Sequence, residues 1–136
     1  GWTPPEFYSP WRDDLRPLNG LLHGTVVFTR VAFLHARTAP HDVIAARRLA
    51  AILPQIRIGL EQLSDCATMT ANGARLLKGL AEAQRILKNA LEGSCEMQAE
   101  PMYVEASSIL GDQGEAEARQ TAHRRRVLQR SAEVGT

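Results

Sequence analysis

Apolar positions recur along this chain at spacings of three and four. The clearest run is Leu49, Ile52, Leu53, Ile56, Leu60 and Leu63, which lines one side of an α-helix because residues so spaced share a face. It predicts a helix from about His41 to Leu63. Pro54 lies inside that helix and should kink it, since proline lacks a backbone donor and crowds the preceding turn. Leu76, Leu77, Leu80, Ala83, Leu87 and Leu91 predict a second helix, capped by Thr68 or Thr70 and ended by Gly93. Upstream, Leu18, Leu21, Leu22, Thr25, Phe28 and Ala32 predict a helix from Pro17 to about Arg37, with proline suited to a first turn. The β-branched run Thr25, Val26, Val27 argues locally for strand, but a strand would end awkwardly at Arg30.

Outside these stripes the pattern is weaker. Residues 1–17 carry Pro4, Pro5, Pro10 and Pro17 and read as an irregular entry. "TAPHD" (38–42) breaks the first helix from the second. Residues 94–114 have no clear period. A last helix from about Glu115 to Arg130 has acids at its start and arginines at its end, as the helix dipole prefers. Its apolar content is thin, so it is expected to be solvated or frayed. Gly20 and Gly24 lie on one side of the first helix and suggest close approach of another backbone or a ligand. The expected architecture is all-α: three main amphipathic helices plus a weak C-terminal helix or tail. Residues 1–93 form a helical domain with a proline-rich entry, and 94–136 a weakly structured segment with an arginine-rich helix or tail.

Composition narrows the class. A chain of 136 residues suffices for one modest core, and with 5% aromatic residues that core must be mostly Leu, Ile, Val and Ala. A formal net charge of +1 gives no dominant field for nucleic acid or membrane. No apolar run approaches the roughly 18 residues that span a bilayer. Cys66 and Cys95 have no C-x-x-C spacing and no adjacent histidine, which fits reduced thiols in a cytoplasmic protein.

No complete catalytic motif is present: no H-E-x-x-H, G-x-S-x-G, P-loop or G-x-G-x-x-G. His23, His35, His41 and His123 are too scattered for a two-ligand helix pair. His23, beside Gly24, could bind a metal held by other residues or could be a buried histidine bonded to a carbonyl. Arg16, just before Pro17, could present its planar fork to a carboxylate. Asp13 and Asp14 could pair with Arg12 or Arg16, or cap the helix. Tyr8 and Trp11 read as packing anchors before substrate platforms. "RQTAHRRRVLQR" (119–130) holds five arginines and no acid. It could touch phosphates, but it has no aromatic partner, and a solvated helix end or disordered tail is the plainer reading.

One stretch carries a resemblance. "FYSPWRDDLRPLNGLLHGTVVFTRVAFL" (7–34) resembles the region downstream of the metal motif in bacterial HExxH-motif peptide-modification proteins, which include 2-oxoglutarate- and iron-dependent peptide β-hydroxylases. Tyr8, Pro10, Trp11, Arg12, Asp14, Arg16, Pro17, Gly20, Leu22 and Gly24 match that pattern. "MTANGARLLKGL" (69–80) is similar to a turn opening a late helix in the same proteins. The likeness covers roughly residues 7–92. It implies a C-terminal helical part of such an enzyme, inactive alone, whose H-E-x-x-H segment lies upstream. It further implies Arg16 as the 2-oxoglutarate carboxylate partner, His23 as an additional iron ligand or a residue bonded to one, and a peptide substrate. The alternative is a non-enzymatic helical module that binds a protein or peptide in a groove lined by the first two helices. Neither a membrane nor a nucleic-acid partner is expected.

Overall fold

The computed structural model describes residues 6–66, 70–99 and 103–134. These residues form four helices: α1 (Leu18–Thr38), α2 (Val43–Ser64), α3 (Ala71–Ala99) and α4 (Tyr103–Val134). The fold is all-α. Among the described residues the only β-type pairing is a bridge between Phe7 and Arg16.

Helix α2 is the hub, packing against each of the other three, whereas among the described residues α1 and α4 do not meet. Half of its 22 residues are buried, so it presents apolar groups to three neighbours. It starts where Asp42 turns its carboxylate back onto the backbone N–H groups of Ile44 and Ala45, at 2.9 and 3.4 Å, satisfying two donors that have no intrahelical partner. It continues through Pro54, which is buried. Tertiary packing on three sides holds the helix where proline costs a hydrogen bond.

Helix α1 meets α2 through a narrow face of Leu21, Thr25, Thr29 and Ala32. The two threonines belong inside because each hydroxyl donates to the carbonyl four residues back, at 2.8 Å for Thr25 to Leu21 and 2.7 Å for Thr29 to Thr25. At Gly59 the helices approach closely: a β-carbon there would lie 2.5 Å from Thr25 Oγ1. A cavity of about 150 Å³ lies elsewhere, lined by Leu53, Pro54, Arg57, Gln84, Lys88 and Glu117 of α2, α3 and α4.

Three expectations need correction. Gly93 does not end α3, which runs on to Ala99. No described glycine has positive φ, so the left-handed cap is absent, and the buried stripe Leu80, Leu87, Leu91 continues into Ser94 and Cys95. Ser94 is tolerated there because its hydroxyl bonds the Ala90 carbonyl at 2.8 Å. Leu76, expected in that stripe, is exposed. The final helix is also longer than expected and is not a solvated or frayed end. It begins at Tyr103 and buries Ala116, Gln120 and Val127. At the start of α3 the cap is Thr70, whose hydroxyl accepts from Gly73 N–H at 3.1 Å; Thr68 lies outside the described residues.

Two apolar clusters result. The larger joins α1, α2 and α3 through Ala32, Leu49, Leu53, Ile56, Leu87 and Leu91, among others. Each large aliphatic side chain fully buried there contributes about 1.5–3 kcal/mol. The smaller consists of Tyr8, Ile58 and Val127, with Leu15 packed against it, and it ties the segment before α1 to α2 and α4.

Candidate functional site

The segment ahead of α1, residues 6–17, is a strap across the ends of α1, α2 and α4. Its shape follows from its sequence. Ser9-Pro10-Trp11-Arg12 is a turn, with proline at the position its fixed φ favours and Arg12 N–H bonded to Ser9 C=O at 3.2 Å. Phe7 and Arg16 then pair in both directions, Phe7 N–H to Arg16 C=O at 2.7 Å and Arg16 N–H to Phe7 C=O at 2.8 Å. The motif is thus a closed loop.

Three glutamines fasten it. On α2, Gln62 bonds both backbone groups of Tyr8: its carbonyl accepts from Tyr8 N–H at 3.1 Å and its amide donates to Tyr8 C=O at 2.6 Å. One side chain thereby does the work of a neighbouring strand. Gln55, two turns earlier, accepts from the Trp11 indole N–H at 2.9 Å. The indole stacks on Phe28, with centroids 4.6 Å apart and planes 2° from parallel. It lies over Gly24, where a β-carbon would come within 3.0 Å of the ring. The close approach at Gly24 is thus made by a side chain, Trp11, and not by the backbone or ligand expected. At Gly20 the neighbour is Arg16, whose Nε would lie 3.3 Å from a β-carbon.

The third glutamine belongs to a polar cluster with α4. Tyr8 is 2% exposed, and its hydroxyl oxygen accepts from the Gln120 amide, which also donates to Pro10 C=O at 3.4 Å. The hydroxyl hydrogen points to His123 Nδ1, 2.5 Å away. His123 Nε2 faces Asp13 Oδ1 at 3.0 Å. The network assigns the tautomer: Nδ1 accepts from Tyr8 and Nε2–H donates to Asp13. The Arg124 guanidinium lies 5.4 Å from the centre of the Tyr8 ring, a cation–π contact. No described buried side-chain polar atom lacks a partner. Electrostatics follow the geometry. The hydrogen bond from His123 holds the Asp13 carboxyl below its ordinary range. Burial raises Tyr8 above the usual phenol, against the opposing pull of Gln120, Arg124 and Arg126.

A carboxylate, an imidazole and a hydroxyl in line is also the order of a nucleophilic triad. Here the hydroxyl is buried, and Gln120 and His123 take up its bonding. The arrangement fastens the strap.

The residues singled out by sequence fall elsewhere. His23 is exposed on α1. Arg16 is half-buried and pairs with Asp14 at 3.9 Å; Asp14 also pairs with Arg12 at 3.3 Å. Asp13 goes instead to His123, and neither acid caps α1, whose N-cap is Pro17 without a side-chain bond. Among the described residues no three His, Cys, Asp or Glu side chains gather as a metal site. Of His23 and Arg16 only the imidazole has a lone pair to offer a metal, and one imidazole does not make an iron centre. No described helix is long and apolar enough to cross a membrane.

No family model, curated protein or solved structure matches this chain. Sequence reasoning missed Gln55, Gln62, Gln120 and His123. The signal was there: Tyr and Trp near a core need partners for their O–H and N–H groups, and Gln55 and Gln62 fall seven apart on α2.

Proposed function

We propose that this chain is the helical part of an HExxH-type peptide-modifying protein of the 2-oxoglutarate- and iron-dependent hydroxylase kind, supplying the co-substrate side of the site. The observation that supports this reading is how the motif divides. Tyr8, Trp11, Gly24 and Phe28 fasten the strap. Fastening does not use the side chains of Arg16 and His23. Arg16 lies along Gly20 at the start of α1, and His23 follows Gly20 by three residues, on the same side of the helix.

The first turn of α1 carries no acidic residue and no side-chain cap. Its backbone N–H groups and the nearby guanidinium together favour an anion. A 2-oxoglutarate carboxylate would take the place that Asp14 holds on Arg16. Iron, when bound, would supply the oxygen chemistry; it would need an H-E-x-x-H helix for two ligands, with His23 as an additional ligand or bonded to one. A peptide is the substrate, and the setting is cytoplasmic, in keeping with two cysteines, Cys66 and Cys95, without C-x-x-C spacing.

The test is to express the chain with the coding sequence that precedes Gly1, then measure iron content and conversion of 2-oxoglutarate to succinate. Arg16→Ala is expected to raise the KM for 2-oxoglutarate by about tenfold or more, the scale of a lost charged hydrogen bond. His23→Ala is expected to lower iron content. A preceding segment without H-E-x-x-H, or two variants indistinguishable from the parent, would falsify the proposal.

A second reading has its own observation. Phe33, Leu34 and Ile44 are exposed around the turn between α1 and α2, an apolar surface that a partner-binding module would use. Loss of partner capture on Leu34→Asp, with 2-oxoglutarate turnover absent, favours that reading.

A further inference from the structure

We infer that Gln120 and His123 of α4 are positioning residues for Arg16, acting through the buried Tyr8 hydroxyl; this rests on reading Arg16 as a carboxylate binder. Arg16 has little to orient it locally. Its side chain meets Asp14 only at 3.9 Å and lies over Gly20, which offers no side chain. The placement of its guanidinium therefore depends on its backbone, and that backbone is paired in both directions with Phe7.

What holds Phe7 is the residue beside it. Gln62 on α2 fixes the Tyr8 backbone, and α4 fixes the far end of the side chain through Gln120 and His123. His123 has a second role. Its other nitrogen reaches Asp13, on the opposite limb of the loop that Phe7 and Arg16 close. The imidazole is thus a crosspiece between the two limbs, with Tyr8 on one nitrogen and Asp13 on the other. Removing it takes one fastening from each limb at once. Trp11 of the strap packs against the large α1–α2–α3 cluster, but Phe7, Tyr8, Asp13 and Arg16 are not part of it, so these positions can loosen while the bundle stays folded. Sub-global opening of this kind needs few buried apolar contacts in the moving part, and around Tyr8 there is the small cluster of Tyr8, Ile58, Val127 and Leu15.

The experiment compares Tyr8→Phe, His123→Leu and His123→Asn. Tyr8→Phe keeps the ring and loses the hydroxyl. His123→Leu loses both nitrogens. His123→Asn places an acceptor oxygen about where Nδ1 sits and gives up Asp13. Amide hydrogen exchange is read at Phe7 and Arg16, with Leu49 and Ile56 as reporters of the bundle. Tyr8→Phe and His123→Leu are expected to speed exchange at Phe7 and Arg16 by about tenfold, with Leu49 and Ile56 unchanged. His123→Asn is expected to keep most of the parent's protection. In the turnover assay the first two raise the KM for 2-oxoglutarate roughly threefold to tenfold with little change in kcat, the pattern of a weakened binding contact.

Unchanged exchange at Phe7 and Arg16, or equal acceleration at Leu49 and Ile56, overturns the inference. A KM raised by Arg16→Ala but not by Tyr8→Phe also overturns it, while leaving Arg16 as a carboxylate binder. A KM unmoved by Arg16→Ala removes that reading itself, and this inference with it.

Discussion

Between α1, α2 and α3 the protein is held by leucine, isoleucine and alanine. Between the strap, α2 and α4 it is held by a phenol hydroxyl, an imidazole, an indole N–H and three glutamine amides. The first region is closed by a non-directional force that scales with area. The second depends on donors and acceptors meeting at fixed distances, each net worth only about 0.5–1.5 kcal/mol but costly when one partner is left alone. The apolar region sets whether the chain folds. The polar region sets where a particular loop sits on the folded chain, and it can fail without the first failing.

Substitutions can break that division or sharpen it. The largest loss is expected in the apolar region: Leu87→Ala, at a fully buried position, should lower unfolding free energy by about 2–5 kcal/mol. Urea denaturation checks it, and a loss under 1 kcal/mol would mean α3 is not integral to the bundle. Next comes the helix crossing. Gly59→Ala puts a β-carbon 2.5 Å from Thr25 Oγ1 and should cost about 1–3 kcal/mol by overpacking. Thr25→Ala removes that hydroxyl, so the double variant should regain stability over Gly59→Ala alone; a strictly additive double-mutant cycle would refute the contact.

The smallest effect belongs to the strap and to acid. Asp13 titrates below its ordinary value in the folded chain because His123 bonds it. A depressed carboxyl contributes stability that is present above the unfolded value of about 4 and is lost as pH falls through the folded one. Protection of the Phe7 and Arg16 amides should therefore decline below pH of about 4, and the decline should vanish in Asp13→Asn. At the alkaline end Tyr8 acts the other way. Burial raises it, so its contribution is intact below about pH 10 and is lost as pH rises through the folded value.

The same contrast explains what could be read from the sequence. The three main helices were legible because Leu49, Leu53, Ile56 and Leu60, and then Leu80, Leu87 and Leu91, repeat at helical spacing. The last helix was legible from about Glu115 to Arg130 by its charge order, but its start at Tyr103 and its burial were not, because its inward face is Ala116, Gln120, His123 and Val127, which by polarity resembles a solvated surface. Periodicity counts apolar residues and is blind to a buried stripe whose polar members are satisfied by a distant strap. Thr25 was legible as part of the inward face, and it and Thr29 sit there because each hydroxyl is spent on the helix's own carbonyl. Gly93 looked like a terminator because glycine is a poor helix former, but a continuous buried face outweighs about 1 kcal/mol of propensity. Of the candidate site, Arg16 and His23 stood out by residue type, and their roles came from motif resemblance. The glutamines and the histidine that hold the motif in place lie on α2 and α4, out of reach of any local pattern.

The two fastenings of the strap also differ in time. Phe7 and Arg16 are near neighbours in the chain, whereas the Tyr8–His123 contact joins residues 115 apart. Closure entropy rises by about 0.6 kcal/mol per doubling of loop length, so the long contact carries roughly 2 kcal/mol more closure cost than the short one. The small loop can close on the nascent chain and dock on α1 and α2 through Trp11 and Tyr8, while the contact to α4 must wait for the last helix. The arginine-bearing loop is thus closed early and fastened in two stages.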